Sequence, residues 1–323
     1  MLRTLRIENY KSLRDVSVEL GRFNIVIGSN GAGKTNLLEA LGLLGCAASG
    51  RVDDESLIKR GIRPGLPSLY KTAFAPLPDF ISITAESDVA KYRVSLQNPL
   101  DNPESAWRFG QELLWDHGAI AASRTHDQGS LQLEPNKLAL ALSLDPHEAI
   151  ATLAGVTSTR PAISALLEAL RSYAIYTPFT PMLRGTTPDP GQRDPVGLAG
   201  GRLAEAVQGA LTADGAQLQA IVRDLIDWAA EFDVGTAASA QLSPAVAATR
   251  DVLRFRDRHM VAGRNWLSAF DASEGALYVL FLAVLAVHPH APRVLAVDNV
   301  DQALNPRLAR AKNKRDQNLI LAD

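Results

Sequence analysis

Apolar and polar positions alternate at the start of the chain. Leu5 and Ile7, then Val16, Val18 and Leu20, recur with the period of a half-buried strand and predict strands over residues 2–8 and 15–20. Residues 23–27 (Phe-Asn-Ile-Val-Ile) predict a buried strand, and Leu37, Leu38, Leu41 and Leu44 recur at helical spacing over residues 36–44. Residues 80–86 and 92–97 alternate again around Ser87-Asp88, as in a hairpin. Residues 98–133 show little period. Residues 138–171 predict mostly helix, interrupted near Asp145-Pro146 and Arg160-Pro161, and the Gly- and Pro-rich residues 184–201 predict a loop. Helices are predicted over 203–232, broken near Asp214-Gly215, and over 266–288. A short apolar strand over 293–297 then ends on Asp298. Residues 307–311 read as a short helix, and 318–323 could form a last strand. There is no internal repeat of fixed period and no sustained heptad pattern.

Between the strand at 23–27 and the helix at 36–44 stands Gly28-Ser29-Asn30-Gly31-Ala32-Gly33-Lys34-Thr35, a full match to G-x-x-x-x-G-K-[ST] in its strand–loop–helix setting. The chemistry follows from the residue types. Glycines let backbone N–H groups approach a phosphate closely, and the helix that opens at Asn36 adds the positive end of its dipole. Lys34 supplies a point charge for the β- and γ-phosphates, and the Thr35 hydroxyl suits Mg²⁺. In nucleoside-triphosphatases with such a loop, an aspartate after a second apolar strand helps hold the metal. Val294-Leu295-Ala296-Val297-Asp298 offers one.

Composition narrows this little. The 323 residues are 46% apolar and 21% charged, an ordinary globular balance with room for a large core. A net charge of −2 means that any nucleic-acid contact must come from a local patch. The single Cys46 leaves no internal disulfide and suits a reducing compartment. The longest apolar run, residues 275–287, is too short for a bilayer, so a cytoplasmic protein with no membrane partner is expected.

Several stretches beyond the loop resemble the AAA-labelled ABC-type ATPases related to RecF, SMC and OLD heads. They are Leu5-Arg6-Ile7-Glu8-Asn9-Tyr10-Lys11-Ser12, Asn36-Leu37-Leu38-Glu39-Ala40-Leu41, Ser273-Glu274-Gly275-Ala276-Leu277, and Asp298-Asn299-Val300-Asp301-Gln302-Ala303-Leu304-Asn305-Pro306. The resemblance covers roughly residues 1–100 and 255–310. It implies an α/β fold: a P-loop NTPase, an ABC-type ATPase head with a mixed β-sheet and a helical insertion. The expected organisation is an ATPase lobe over 1–98, a largely helical insertion over 99–254, and the signature helix and acidic strand over 255–323. It further implies ATP and Mg²⁺ as cofactors, with Thr35 and Asp298 at the metal. Ser273, Glu274 and Gly275 would be a signature facing the nucleotide of a second copy. Ala303, Leu304 and Asn305 would be a dimer turn.

The chain departs from that pattern in places. Asn299 stands where the water-polarising glutamate belongs, and an amide cannot take a proton at neutral pH. Asp301 is the nearby alternative base. No histidine follows Asp298: either the family's switch histidine is absent or the chain is a shortened form of a longer protein, and Gln97 is the nearest guess for the lid glutamine. Arg254, Arg256, Arg258 and Arg264 form either a solvated face or a contact for DNA phosphates. Asn313-Lys314-Arg315-Asp316 matches a guanine-reading motif but lacks its preceding strand. His288 and His290 have no third ligand nearby. The resulting expectation is an ATP-binding head that forms a homodimer or higher oligomer around nucleotide and gates a DNA-directed or nuclease partner, in phage defence or DNA repair. A nucleotide-sensing scaffold with little turnover and a GTPase switch are the alternatives.

Overall fold

The computed structural model describes residues 1–72, 74, 80–132, 139–236, 242, 251–299 and 318–322. The chain opens with β1 (Leu2–Tyr10) and β2 (Leu13–Glu19), an antiparallel pair that buries Leu2, Leu5, Ile7 and Tyr10. Next come β3 (Phe23–Val26), the glycine-rich loop and α1 (Lys34–Ala48). Short helices α2 (Asp54–Ile58) and α3 (Pro67–Tyr70) follow. A meander then runs through β4 (Ile81–Ser87), β5 (Ala90–Gln97), β6 (Arg108–Asp116), β7 (Ala119–Thr125), β8 (Gln128–Leu131) and β9 (Leu140–Ser143). A 3₁₀ turn (Ile150–Thr152), α4 (Ala154–Thr157), α5 (Pro161–Ser172) and β10 (Ala174–Tyr176) complete this half.

The remainder holds α6 (Thr180–Leu183), α7 (Leu203–Leu225), β11 (Ala229–Thr236), β12 (Asp251–Asp257), β13 (Trp266–Ser268), α8 (Glu274–Val287), β14 (Val294–Val297) and β15 (Asn318–Ala322). Helix α8 is apolar nearly all round and buried from Ala276 to Leu280, as a helix without a polar face must be. Among the described residues no helix is long and apolar enough to cross a membrane.

Among the described residues three sheets result: an antiparallel one ordered β2-β1-β4-β5-β6-β7-β8-β9, one ordered β10-β14-β15-β3 with β15 parallel to β3, and the three-stranded β11-β12-β13. The chain divides into two compact units. The first is residues 1–175, 293–296 and 316–323; the second is 176–292 and 297–315. The core of the first unit lies between the long antiparallel sheet and α1 with α5, where Leu38, Leu41, Leu44, Leu167 and Leu170 are buried. Helices α1 and α5 approach closely: a Cβ on Gly45 would sit 2.6 Å from the Leu170 carbonyl oxygen.

The architecture is the expected mixed α/β with the phosphate loop between strand and helix, but the insertion differs. Residues 99–254 are not largely helical. Strands β6 to β9 extend the β4–β5 sheet, so the expected lobe boundary at residue 98 falls inside one sheet. The run 266–288 also divides, with Trp266 opening β13 and the helix starting only at Glu274, while 229–232 begin β11. Within the meander, the Glu112 carboxylate is buried. It accepts hydrogen bonds from the Tyr92 hydroxyl (2.8 Å) and from the N–H groups of Ile150 (2.8 Å) and Ala151 (3.1 Å). Burial outweighs these donors and pushes the Glu112 carboxyl up to about 7.

Candidate nucleotide-binding site

Strand β3 ends at Val26, and α1 begins at Lys34 with Gly33 as its N-cap. Gly31 and Gly33 take φ of 83° and 99°, left-handed backbone that suits glycine. Ser29, Asn30, Gly31 and Ala32 are exposed, and the Ala32 N–H closes a turn on the Ser29 carbonyl (3.1 Å). Among the described residues, the N–H groups of Gly31, Gly33, Lys34 and Asn36 donate to no protein acceptor. Unclaimed amides at a helix N-terminus are a place for an anion. The Lys34 ammonium folds over the loop and donates to the Gly28 carbonyl (2.5 Å). Thr35 follows it in the first turn of α1. Unclaimed amides, glycines at the closest points and one cation within the loop fit a polyphosphate. Lys34 and the amides would hold it, and the Thr35 hydroxyl is the donor that suits Mg²⁺.

The turn between β1 and β2 completes the loop's surroundings, a feature absent from the motif alone. Asn9 and Lys11 both adopt left-handed φ, 65° and 47°. Ser12 Oγ accepts a hydrogen bond from Asn36 Nδ2 (2.8 Å), and a Cβ built on Gly33 would lie only 2.6 Å from it. The buried Glu39 of α1 accepts from the Lys11 ammonium and from Arg63 Nε (2.9 Å). Burial alone would raise the Glu39 carboxyl. The bonds from Arg63 and Lys11 outweigh it and hold the group below its ordinary value. The spacing Lys11-Ser12 and Asn36-Glu39 is the only sequence signal for this network.

In the second unit, Asp298 directly follows β14 and is buried, and its N–H donates to the Tyr176 carbonyl (2.9 Å). Asn299 is exposed, with φ of 58°, and its N–H donates to Asp298 Oδ1 (3.1 Å). Ser273 caps α8 by accepting from the Ala276 N–H (3.3 Å), and Glu274 accepts from the Thr180 hydroxyl. Ser273 and Glu274 remain exposed, Gly275 half-buried. Asp301, the turn Ala303-Leu304-Asn305, the segment 307–311 and the motif at 313–316 lie outside the described residues. Gln97 ends β5, its amide beside Gly110. His288 and His290 pack edge to face at 5.5 Å between ring centroids.

The arginine run is not a helix face. Arg254 and Arg256 lie on β12, where Leu253 and Phe255 point into the core, and Arg258 follows just after the strand. Arg254 binds Asp233 and stacks over Trp266 at 5.0 Å; Arg256 binds Glu231 (2.8 Å); Arg258 donates to the Ala229 carbonyl (3.0 Å).

The chain is similar to several known proteins. A family model described as "AAA domain, putative AbiEii toxin, Type IV TA system" matches residues 23–311. The chain is 45% identical over 60 residues to the DNA replication and repair protein RecF of Staphylococcus haemolyticus, covering 18% of this chain and 16% of the relative. It is 41% identical over 44 residues to the OLD nuclease of Thermus scotoductus, covering 14% of this chain and 8% of that protein. The chain therefore matches less than a fifth of the length of either relative. Among solved structures, the SMC head domain from Thermotoga maritima aligns with 99% of this chain and 88% of its own, at 12% identity and a TM-score of 0.46.

Proposed function

This chain belongs to the AAA-domain family described as putative AbiEii toxin of a type IV TA system, ABC-type ATPases related to RecF, SMC and OLD heads, and from that premise we propose that it is a cytoplasmic ATP-binding head that dimerises around nucleotide and gates a DNA-directed or nuclease partner. The observation that carries the reading is the cradle between β3 and α1, with its free amides, left-handed glycines and Lys34. In this reading the loop amides and Lys34 bind the phosphates, Thr35 and Asp298 serve the metal, and the exposed Ser273 and Glu274, with half-buried Gly275, face a second copy from the start of α8. Mg²⁺, when bound, neutralises charge on the phosphates. The relatives named DNA replication and repair protein RecF and OLD nuclease support a DNA-directed setting, while a role in phage defence rests on the family resemblance alone.

A second reading, a nucleotide sensor with little turnover, is favoured by Asn299, whose amide offers no base beside Asp298. Competition titration of ATP against GTP with Mg²⁺ tests binding. ATP wins, and Lys34→Ala lowers affinity at least a hundredfold; equal affinity in that variant sinks both readings. Steady-state turnover separates them. Turnover that rises strongly in Asn299→Glu marks a detuned hydrolase, and no change means that Asn299 does not stand at the attacking water; negligible turnover in the wild type marks the sensor. Elution mass with and without ATP reads dimerisation.

A further inference from the structure

We infer that Glu39 is a positioning residue for the phosphate loop, clamping the β1–β2 turn through Lys11 so that Ser12 stands against Gly33 and Asn36. The inference rests on the ATP-binding reading and extends it to a residue that touches no phosphate. Glu39 is wholly buried on α1, in a core of leucine and alanine where an apolar side chain would pack without a charge to satisfy. Its carboxylate is held by Lys11 and by Arg63. Lys11 is gripped twice, its N–H donating to the Tyr70 carbonyl (2.8 Å) and its ammonium on Glu39, over the Tyr70 ring at 4.9 Å. It keeps a left-handed backbone that a lysine does not adopt by preference. Asn36 and Glu39 are three residues apart and share a helix face, so α1 grips neighbouring turn residues: Asn36 takes Ser12, Glu39 takes Lys11. Ser12 in turn fills the space that the missing Cβ of Gly33 leaves. A slack turn moves Ser12, and with it the wall of the loop at the point of closest approach.

The test is a double-mutant cycle on ATP affinity in the full chain with Mg²⁺, using Glu39→Gln, Lys11→Met and both together. Each single change weakens ATP about tenfold, and the double is no weaker than the worse single. Effects that multiply in the double, or Glu39→Gln binding ATP normally while its melting temperature falls, overturn the inference. Should Glu39→Gln not fold, Lys11→Met, a change at the rim of the core, carries the test alone, and unaltered affinity there overturns it. If the wild type binds no ATP, the nucleotide reading fails by itself. The clamp is then read from the Gly31 and Gly33 amide resonances, which both variants shift alike; unmoved resonances overturn it.

Discussion

Asn299 stands one residue past the buried Asp298 with a left-handed φ of 58°. Asparagine tolerates that region, whereas a longer side chain pays roughly 1–2 kcal/mol there. The residue thus has a backbone reason to be asparagine, separate from any chemistry. Asn299→Gly should keep the unfolding midpoint and ATP affinity of the parent, and Asn299→Glu should lose about 1 kcal/mol in denaturant titration whatever it does to turnover. Gly33 is more demanding. Gly33→Ala meets both φ 99° and Ser12 Oγ at 2.6 Å, so it should cost about 2 kcal/mol of stability and at least tenfold in ATP affinity by titration.

Among the elements, strand β6 carries the pH dependence. Glu112 has its folded carboxyl at about 7, above the unfolded value of roughly 4.3. Between those values the folded state holds the extra proton. Its contribution is therefore fully present below the unfolded value and lost as pH rises through about 7. Urea midpoints measured from pH 4.5 to 7.5 should fall across that window in the wild type and flatten in Glu112→Gln. Helix α1 is held by shape instead. Gly45→Ala would drive a methyl into the Leu170 carbonyl and should destabilise by about 1–3 kcal/mol by chemical denaturation.

The elements also show what the sequence made visible. β1, β2, β4 and β5 were legible because their apolar periods are unbroken; β3 is the expected strand but not a buried one, since Phe23 and Ile25 are exposed, and α8 is shorter than the helix expected over 266–288. β6, β7 and β8 were not legible, since their two-residue turns hide behind unusual residues. His117 and Gly118 (φ 48° and 82°) and His126 (φ 53°) occupy positions where Asn-Gly would have announced a hairpin. The arginines of β12 alternate with Leu253 and Phe255, a period of two that their charge obscured. Their partners Asp233 and Glu231 lie directly across on β11, about 0.2–1 kcal/mol each for such exposed pairs.

For the whole molecule, nucleotide binding is a stability term. ATP at a hundred times its dissociation constant adds about 2.7 kcal/mol to the folded state, provided that the unfolded chain binds none. Scanning calorimetry should show a melting point raised by several degrees, with no rise in Lys34→Ala. At this scale the strand–loop–helix form around residues 28–35 was legible, because it is local: eight consecutive residues between a strand and a helix. The clamp around Glu39 was not, because it joins residues 11, 12, 36, 39 and 63, whose proximity only the packing of a β-turn on a helix creates.

Strand β3 takes its parallel neighbour from β15, with Phe23 opposite Leu319 and Val26 opposite Ala322. Residues 27–317 separate those two strands along the chain, so one is made well before the other. During that interval Phe23 and Ile25 lack the strand that later lies beside them. A long-range pairing of this kind is slow to form and leaves a sticky edge meanwhile. Dilution from denaturant should therefore recover less active protein as concentration climbs, and a holdase chaperone should restore the yield.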